Sequence, residues 1–254
     1  MLDYDKEARV YDASRGGEPR AAAAADAVLG LIPESAHRTP GRPGRLLDVA
    51  CGTGIVTRRL AGARPALRVT GADLTYGMAR KAAGRLPGAV VLGDSRRLPF
   101  PDGVFDAVTS IWLLHLIDGA DDVGSIVAEC ARVLGPGGVY VTTVDKAASH
   151  DVGSDIDAVL APRPRRSAPD AAHRVEGCAA AQGLVAAGRS AFTGLGQGRS
   201  PRGTAADLRR GWFTQLPPGE PRTERFAARL ETLPDQDRRR ADPVFQLRAF
   251  RKPG

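Results

Sequence analysis

The chain has few of the residues that build metal centres and disulfides: three cysteines and four histidines among 254 residues. Three thiols cannot staple a chain of this size, so a disulfide framework is excluded and a reducing, cytoplasmic setting is expected. No Cys/His spacing resembles a zinc site, and no metal requirement is expected. Long apolar runs are missing as well. No stretch approaches the roughly 20 residues needed to cross a bilayer, and the N-terminus is charged and tyrosine-bearing where a signal peptide needs an apolar run. Lysine is scarce, with Arg outnumbering Lys about eightfold. Together with abundant Ala, Gly and Pro, this is the bias that GC-rich coding produces. The net charge of +7 therefore reads as a solvated basic surface. The densest basic run, Arg238-Arg239-Arg240, is flanked by Asp235, Asp237 and Asp242. No aromatic-interleaved basic stripe occurs, and a nucleic-acid partner is not expected.

What the chain does have is an apolar strand running into a glycine turn, Leu46-Leu47-Asp48-Val49-Ala50-Cys51-Gly52-Thr53-Gly54, with a helical pattern from Ile55. Gly52 and Gly54 lack a Cβ, so the turn can take positive φ and admit a ligand against the main chain. The helix that follows points its free N–H groups and positive dipole end at that ligand. A dinucleotide turn of the G-x-G-x-x-G kind needs a third glycine, and Thr57 stands in its place. About twenty residues beyond the turn, a second strand over 67–73 ends in Asp73, a carboxylate suited to a ribose diol or to capping the helix near Thr75. A third strand over 89–92 leads into Gly93-Asp94-Ser95, and a fourth over 105–110 follows a turn at 99–103. A helix over 121–134 and the run Gly135-Pro136-Gly137-Gly138 lead into a fifth strand over 139–144. The first four strand ends meet on one edge.

In order and spacing, DVACGTG, GADLTYGM, GDSRRLPFPDGVFDAVTS and RVLGPGGVYVTT resemble the motifs of class I S-adenosylmethionine-dependent methyltransferases, over residues 45 to 145. Within that family the chain is most similar to the small-molecule branch related to the ubiquinone/menaquinone methyltransferases. There an N-terminal tyrosine-containing segment folds over the cofactor, and Tyr4, Tyr11 and Arg15 match it. The resemblance implies an α/β fold: a seven-stranded, doubly wound, mostly parallel Rossmann-like sheet with a helical lid. It also implies S-adenosylmethionine as cofactor and S-adenosylhomocysteine as product.

By the same resemblance, Asp48 binds N–H groups of the turn or, through water, the methionine amine. Ala50, Gly52 and Gly54 pass beneath the methionine and ribose, and Asp73 accepts both ribose hydroxyls. Asp94 accepts from the adenine amine while the Ser95 N–H meets a ring nitrogen; a plain Asx-turn is the alternative. Leu74 and Met78 cover the adenine faces, or belong to the core. Carbonyls of Ser110 and Ile111 hold the methionine amine. Arg15 pairs with the methionine carboxylate, and Tyr11 closes over the cofactor or anchors the N-terminal helix.

The chain reads as one domain over 1–254: a cofactor-covering segment to residue 40, a cofactor-binding core over 45–145, and an acceptor lid with the final strands over 146–254. Helices are expected over 152–160, 170–182, 204–213 and 222–233, with strands over 189–195 and 244–250. Trp112, His115, Asp145, Trp212 and Phe213 are acceptor-pocket candidates. His115, on an apolar run, and the two C-terminal aromatics, on an amphipathic helix, also suit plain packing. His150, after the fifth strand, is the candidate general base, with Asp145 and Asp151 beside it, or else an ordinary loop histidine. In-line transfer requires no covalent intermediate, and a carboxylate acceptor has no proton to lose. The expected partner is a small-molecule acceptor of secondary metabolism, for a monomer or homodimer. A peptide carboxylate or RNA base is the alternative acceptor, the latter disfavoured because Ser110-Ile111-Trp112-Leu113 stands where base methyltransferases carry an Asn/Asp-Pro-Pro-Tyr/Phe motif. A nicotinamide oxidoreductase and a binding-only relative are the remaining classes.

Overall fold

A computed structural model describes residues 8, 11–34, 43–117, 120–163, 168–213 and 215–254; Tyr4 lies outside these. The central sheet has seven strands: β1 (Gly44–Val49), β2 (Leu67–Asp73), β3 (Val90–Leu92), β4 (Phe105–Ser110), β5 (Leu134–Val144), β6 (Val185–Thr193) and β7 (Val244–Arg251). Their order is β3-β2-β1-β4-β5-β7-β6. β1 to β5 pair in parallel, while β7 runs antiparallel to both β5 and β6. The fold is thus the expected α/β, mostly parallel sheet. Parallel strands leave all their carboxyl ends on one edge, and the order reverses between β1 and β4, where such sheets open a crevice.

Alternate residues of the central strands feed two cores, as the period of two requires. Leu47, Val49, Val108 and Tyr140 pack with Val123, Ile126, Val127 and Cys130 of α5 (Ala120–Val133) and Val175 of α8 (Ala172–Ala181). Leu46, Ala107, Val139 and Val141 pack on the other face with Ala21, Ala24 and Val28 of α2 (Gly17–Leu29) and Leu60 of α3 (Ile55–Ala63). Helix α4 (Tyr76–Arg85) follows β2, and a single turn, α1 (Tyr11–Ser14), precedes α2. A third, separate cluster forms the lid: Ile156 and Leu160 of α7 (Asp155–Leu160), Leu208 of α9 (Pro201–Arg209), and Phe226 and Leu230 of α10 (Pro221–Glu231). Between β5 and α7 lies the short α6 (Lys146–Ser149).

Several expected boundaries move. The Gly135–Gly138 run belongs to β5, because its N–H and C=O groups are shared with the end of the chain: Gly137 donates to the Lys252 carbonyl at 2.8 Å, and Lys252 donates to Gly138 at 3.0 Å. β6 begins earlier than expected and ends at Thr193, where Gly194 turns back on β7. The helix expected over 152–160 starts only at Asp155, because Ser154 and Asp157 close a capping box there. The helix expected over 204–213 runs instead over Pro201–Arg209. Gly211, at φ 79°, turns the chain away, so Trp212 and Phe213 lie outside any helix. Among the described residues no helix is long and apolar enough to cross a membrane.

Candidate active site

The crevice is built on the turn between β1 and α3. Gly54 has φ 74°, and a Cβ there would sit 2.9 Å from the Ala82 Cβ, so the start of α3 packs against α4 only because that atom is missing. Gly52 has φ 57°, and its missing Cβ would meet nothing within 4 Å. One glycine therefore serves packing, and the other leaves open space over the main chain. Asp73, at the end of β2, turns its buried carboxylate into this turn. One oxygen accepts the Gly52 N–H at 2.8 Å and the other the Thr75 N–H at 2.9 Å, so Asp73 ties the turn to the start of α4.

Asp48 does something other than the resemblance implied. Its two oxygens accept the hydroxyls of Thr57 at 2.6 Å and Thr109 at 2.7 Å, in place of turn N–H groups. It is almost wholly buried, and burial pushes its pKa up to about 6 against those two hydrogen bonds, with the Asp73 charge adding to the rise. Thr57 thus has a positive role at the position where a dinucleotide turn carries glycine: its hydroxyl neutralises one orphaned acceptor behind the turn.

On the β3 side, Leu74 is 63% exposed and Leu92 56% exposed, at the ends of adjacent strands. Exposed apolar surface beside a carboxylate suits the face of a flat base. Met78, by contrast, is 2% exposed and belongs to the interior, so it covers no ligand. The Asp94 carboxylate is held by its own Asx-turn to the Arg96 N–H and by the Arg96 guanidinium at 2.8 Å, which lowers its pKa. Ser95 is half-buried beside it.

At the end of β4, Ser110 is fully buried. Its hydroxyl meets Tyr140 at 2.7 Å and Thr142 at 2.8 Å, and its carbonyl accepts the Thr142 hydroxyl at 2.8 Å, so that carbonyl is already engaged. Ile111 is buried next to it. Trp112 follows at φ 59°, its N–H on the Thr143 hydroxyl and its ring edge-on to Phe192 and Phe245 at 5.5 and 5.6 Å. Ala50, Trp112 and Asp145 all have positive φ, and they follow β1, β4 and β5 in turn. Backbone strain in non-glycine residues gathers along the edge where the crevice lies.

Asp145 is a structural brace: its carboxylate accepts the Ala172 N–H at 3.0 Å, tying β5 to α8. His150 stacks edge-on to Phe245 at 5.5 Å. Burial, then the charges of Arg199, Lys146 and Arg15, drive its pKa down to about 2, which makes it a poor proton acceptor. His115 is pushed well below its usual range by burial and the charges of Lys146, His150 and Arg15, and its Nδ1 has no partner, so it is not a satisfied core histidine. Phe213 packs with the lid cluster, 5.5 Å from the Arg199 guanidinium. Trp212 comes to the N-terminal segment, its ring 4.2 Å from the Arg15 guanidinium, which also lies 5.8 Å from the Tyr11 ring. That segment is clamped to the glycine turn by Asp12, which accepts from Thr53 at 2.5 Å and Arg85 at 2.6 Å. Burial alone would raise the Asp12 pKa, but the bonds from Thr53 and Arg85 and the charges of Arg85 and Lys81 bring it below normal.

Residues 47–142, the stretch that makes this crevice, match the methyltransferase domain. This stretch belongs to that family. Over 98 residues the chain is 39% identical to a ubiquinone/menaquinone biosynthesis C-methyltransferase of Desulfotalea psychrophila, covering 37% of this chain and 39% of that protein. The class I methyltransferase resemblance of the motifs is thereby borne out. The chain spans about two fifths of the length of the curated relatives it matches. Among solved structures, the [4+2]-cyclase SpnF superposes with a TM-score of 0.59 at 21% identity, covering 98% of this chain and 93% of that one. Geranyl diphosphate C-methyltransferase from Streptomyces coelicolor A3(2), solved with Mg2+, geranyl diphosphate and S-adenosyl-L-homocysteine, gives 0.52 at 16% identity, covering 91% and 78%. These two likenesses establish the fold alone.

Sequence reading missed Arg20, Lys146 and Arg199. Arg20 is hidden in an alanine-rich helix, Lys146 is one of only four lysines, and Arg199 is one arginine among many. Only the tertiary structure brings their charges together.

Proposed function

We propose that the chain transfers a methyl group from S-adenosylmethionine to a small-molecule acceptor. The observation that carries this reading is the Asp73 carboxylate on the Gly52 N–H, beside an α-carbon that faces open space. A carboxylate offers about four lone-pair sites, and the Gly52 and Thr75 N–H groups fix the two oxygens of Asp73 where a pair of ribose hydroxyls would reach them. Leu74 and Leu92 would shield the adenine from water, with Asp94 and the Ser95 N–H at its polar edge once Arg96 gives way. Ala50, Gly52 and Gly54 form the floor. Asp48 fixes the turn from behind, through Thr57. Arg15, held over Trp212, would take the methionine carboxylate, and the clamp through Asp12 keeps this segment on the turn as a cover.

Bound there, S-adenosylmethionine supplies an activated methyl on a sulfonium. The protein's task is to orient the acceptor, exclude water and hold charge, and positioning of this kind reaches roughly 7–11 kcal/mol in the best intramolecular cases. No general base is assigned, because His150 binds a proton so weakly. The chain works as one unit, with residues 146–254 roofing the acceptor. That lid lies outside the matched stretch, which supports an acceptor particular to this chain. A place in secondary metabolism remains part of the proposal, although the Desulfotalea relative's own name speaks of quinone biosynthesis.

Ultraviolet crosslinking with methyl-labelled S-adenosylmethionine, followed by peptide mapping, tests the site. Label is expected on peptides spanning 50–57 or 73–78, and it should be competed by S-adenosylhomocysteine. Label elsewhere, or none, would remove the assignment.

A further inference from the structure

Beyond the cofactor crevice, toward the ends of β4 and β5, lies a group of cationic side chains that form no ion pair with a carboxylate among the described residues. Arg20 is 3% exposed, its guanidinium sits 4.2 Å from the Trp112 ring, and its Nε has no hydrogen-bond partner. Arg15 lies over Trp212 at 4.2 Å with its Nε equally orphaned. Lys146 opens α6 directly after β5, where the charges of Arg15, Arg199 and Arg20 all act on it. Trp112 Nε1 and His115 Nδ1 are further buried nitrogens without a partner in the same region.

The nearby described carboxylates make their direct bonds elsewhere. Asp12 is paired with Arg85 and Lys81. Asp145 accepts from Ala172, and Asp157 serves the Ser154 cap and Arg199. Asp170 accepts the main-chain N–H of Lys146 at 2.9 Å and its charge acts on that side chain, while Arg20 feels the Asp12 charge and shares a side-chain hydrogen bond with Tyr11. Among the described residues no carboxylate forms an ion pair with Arg15, Arg20 or Lys146. Desolvated cations without counter-ions are costly, and burial, with the charges of Arg15, Arg199 and Arg20, pulls the Lys146 pKa down to about 7; a bound anion would offset that cost.

The cofactor of the proposed reaction can bring only the single carboxylate assigned to Arg15, which leaves Arg20 and Lys146. S-adenosylmethionine carries a sulfonium, an ammonium and one carboxylate, so seating it adds positive charge to the site. We infer that the methyl acceptor is an anion, a small molecule whose carboxylate or phosphate group is held by Arg20 and Lys146 below the lid. This inference rests on the methyltransferase reading and names its substrate class. Where the anionic group is a carboxylate that is itself methylated, an oxygen lone pair forms the new O–C bond. The C–S bond breaks with its electrons going to sulfur, no proton is lost, and the carboxylate and sulfonium charges vanish together. Such a step needs no base, in keeping with the weak proton affinity of His150.

The test is isothermal titration of the full chain, with and without saturating S-adenosylhomocysteine, using benzoate, inorganic phosphate and the neutral benzamide as probes. Benzoate or phosphate should bind while benzamide does not, and Lys146→Gln and Arg20→Gln should each weaken the anion about tenfold or more, with folding checked by circular dichroism. Which anion binds decides between carboxylate and phosphate. Equal binding of benzamide, no anion binding, or anion affinity unchanged in both variants would overturn the proposal. If S-adenosylhomocysteine itself fails to bind, the cofactor reading falls, and the titrations without it still decide the anion site.

Discussion

The substitution Asp48→Asn isolates the charge buried behind the glycine turn. The Asp48 pKa moves from its ordinary value of 3.8 to about 6 on folding, because burial outweighs the two threonine hydrogen bonds. Between those values the folded protein holds more protons than the unfolded chain, so stability falls as pH rises through that window and stays lower above it. A shift of about 2 units at about 1.4 kcal/mol each gives a penalty of about 3 kcal/mol at neutral pH. Roughly 2 kcal/mol of this develops between about pH 4.5 and 7.5. Asparagine keeps an oxygen for one threonine and removes the charge. Urea unfolding of both proteins at the two pH values reads the difference directly, since contributions from all other groups cancel. The gap in stability should move in favour of Asp48→Asn by about 2 kcal/mol from the lower to the higher pH. A gap constant to within roughly 0.5 kcal/mol would show that Asp48 titrates normally and that the account of the turn is wrong.

Removing the other side of the same contact, Thr57→Val, leaves a buried carboxylate oxygen without its donor and should cost about 1–3 kcal/mol in denaturant unfolding; wild-type stability would contradict it. Gly54→Ala forces a Cβ to 2.9 Å from Ala82 at φ 74°, so it should destabilise by about 1–3 kcal/mol. Gly52→Ala meets no protein atom and should cost less stability than Gly54→Ala while weakening S-adenosylhomocysteine; the reverse ranking would move the ligand off Gly52. The His150 imidazole should stay neutral in an NMR titration from about pH 8 to about pH 5, and a midpoint near 6.5 would show that it is solvated.

What could be read in the sequence is what is local. The β1 strand, its glycine turn and α3 are contiguous, and Asp73 sits at a fixed spacing beyond them, so the crevice floor was legible from residues 45 to 110. The two uses of its glycines were not, because the contact of Gly54 with Ala82 is made across helices. Thr57 signalled only the lack of a third glycine, and its partner Asp48 was expected to face the turn. The end of α9 had a local signal in Gly211 that helical periodicity overrode. His150 was placed correctly after β5, but its apolar partner Phe245 comes from β7, and the charges that suppress it come from the N-terminal segment, α6 and the lid. The acceptor side is assembled from long-range contacts of this kind, and no spacing in the sequence announces them.

The most direct measurement is calorimetric titration of S-adenosylhomocysteine, S-adenosylmethionine and NADH into the wild-type protein and Asp73→Asn. The account predicts about micromolar binding of the first two, weakened about tenfold or more in Asp73→Asn, and no comparable binding of NADH. Binding of NADH alone, or S-adenosylhomocysteine affinity unchanged without the Asp73 charge, would contradict it.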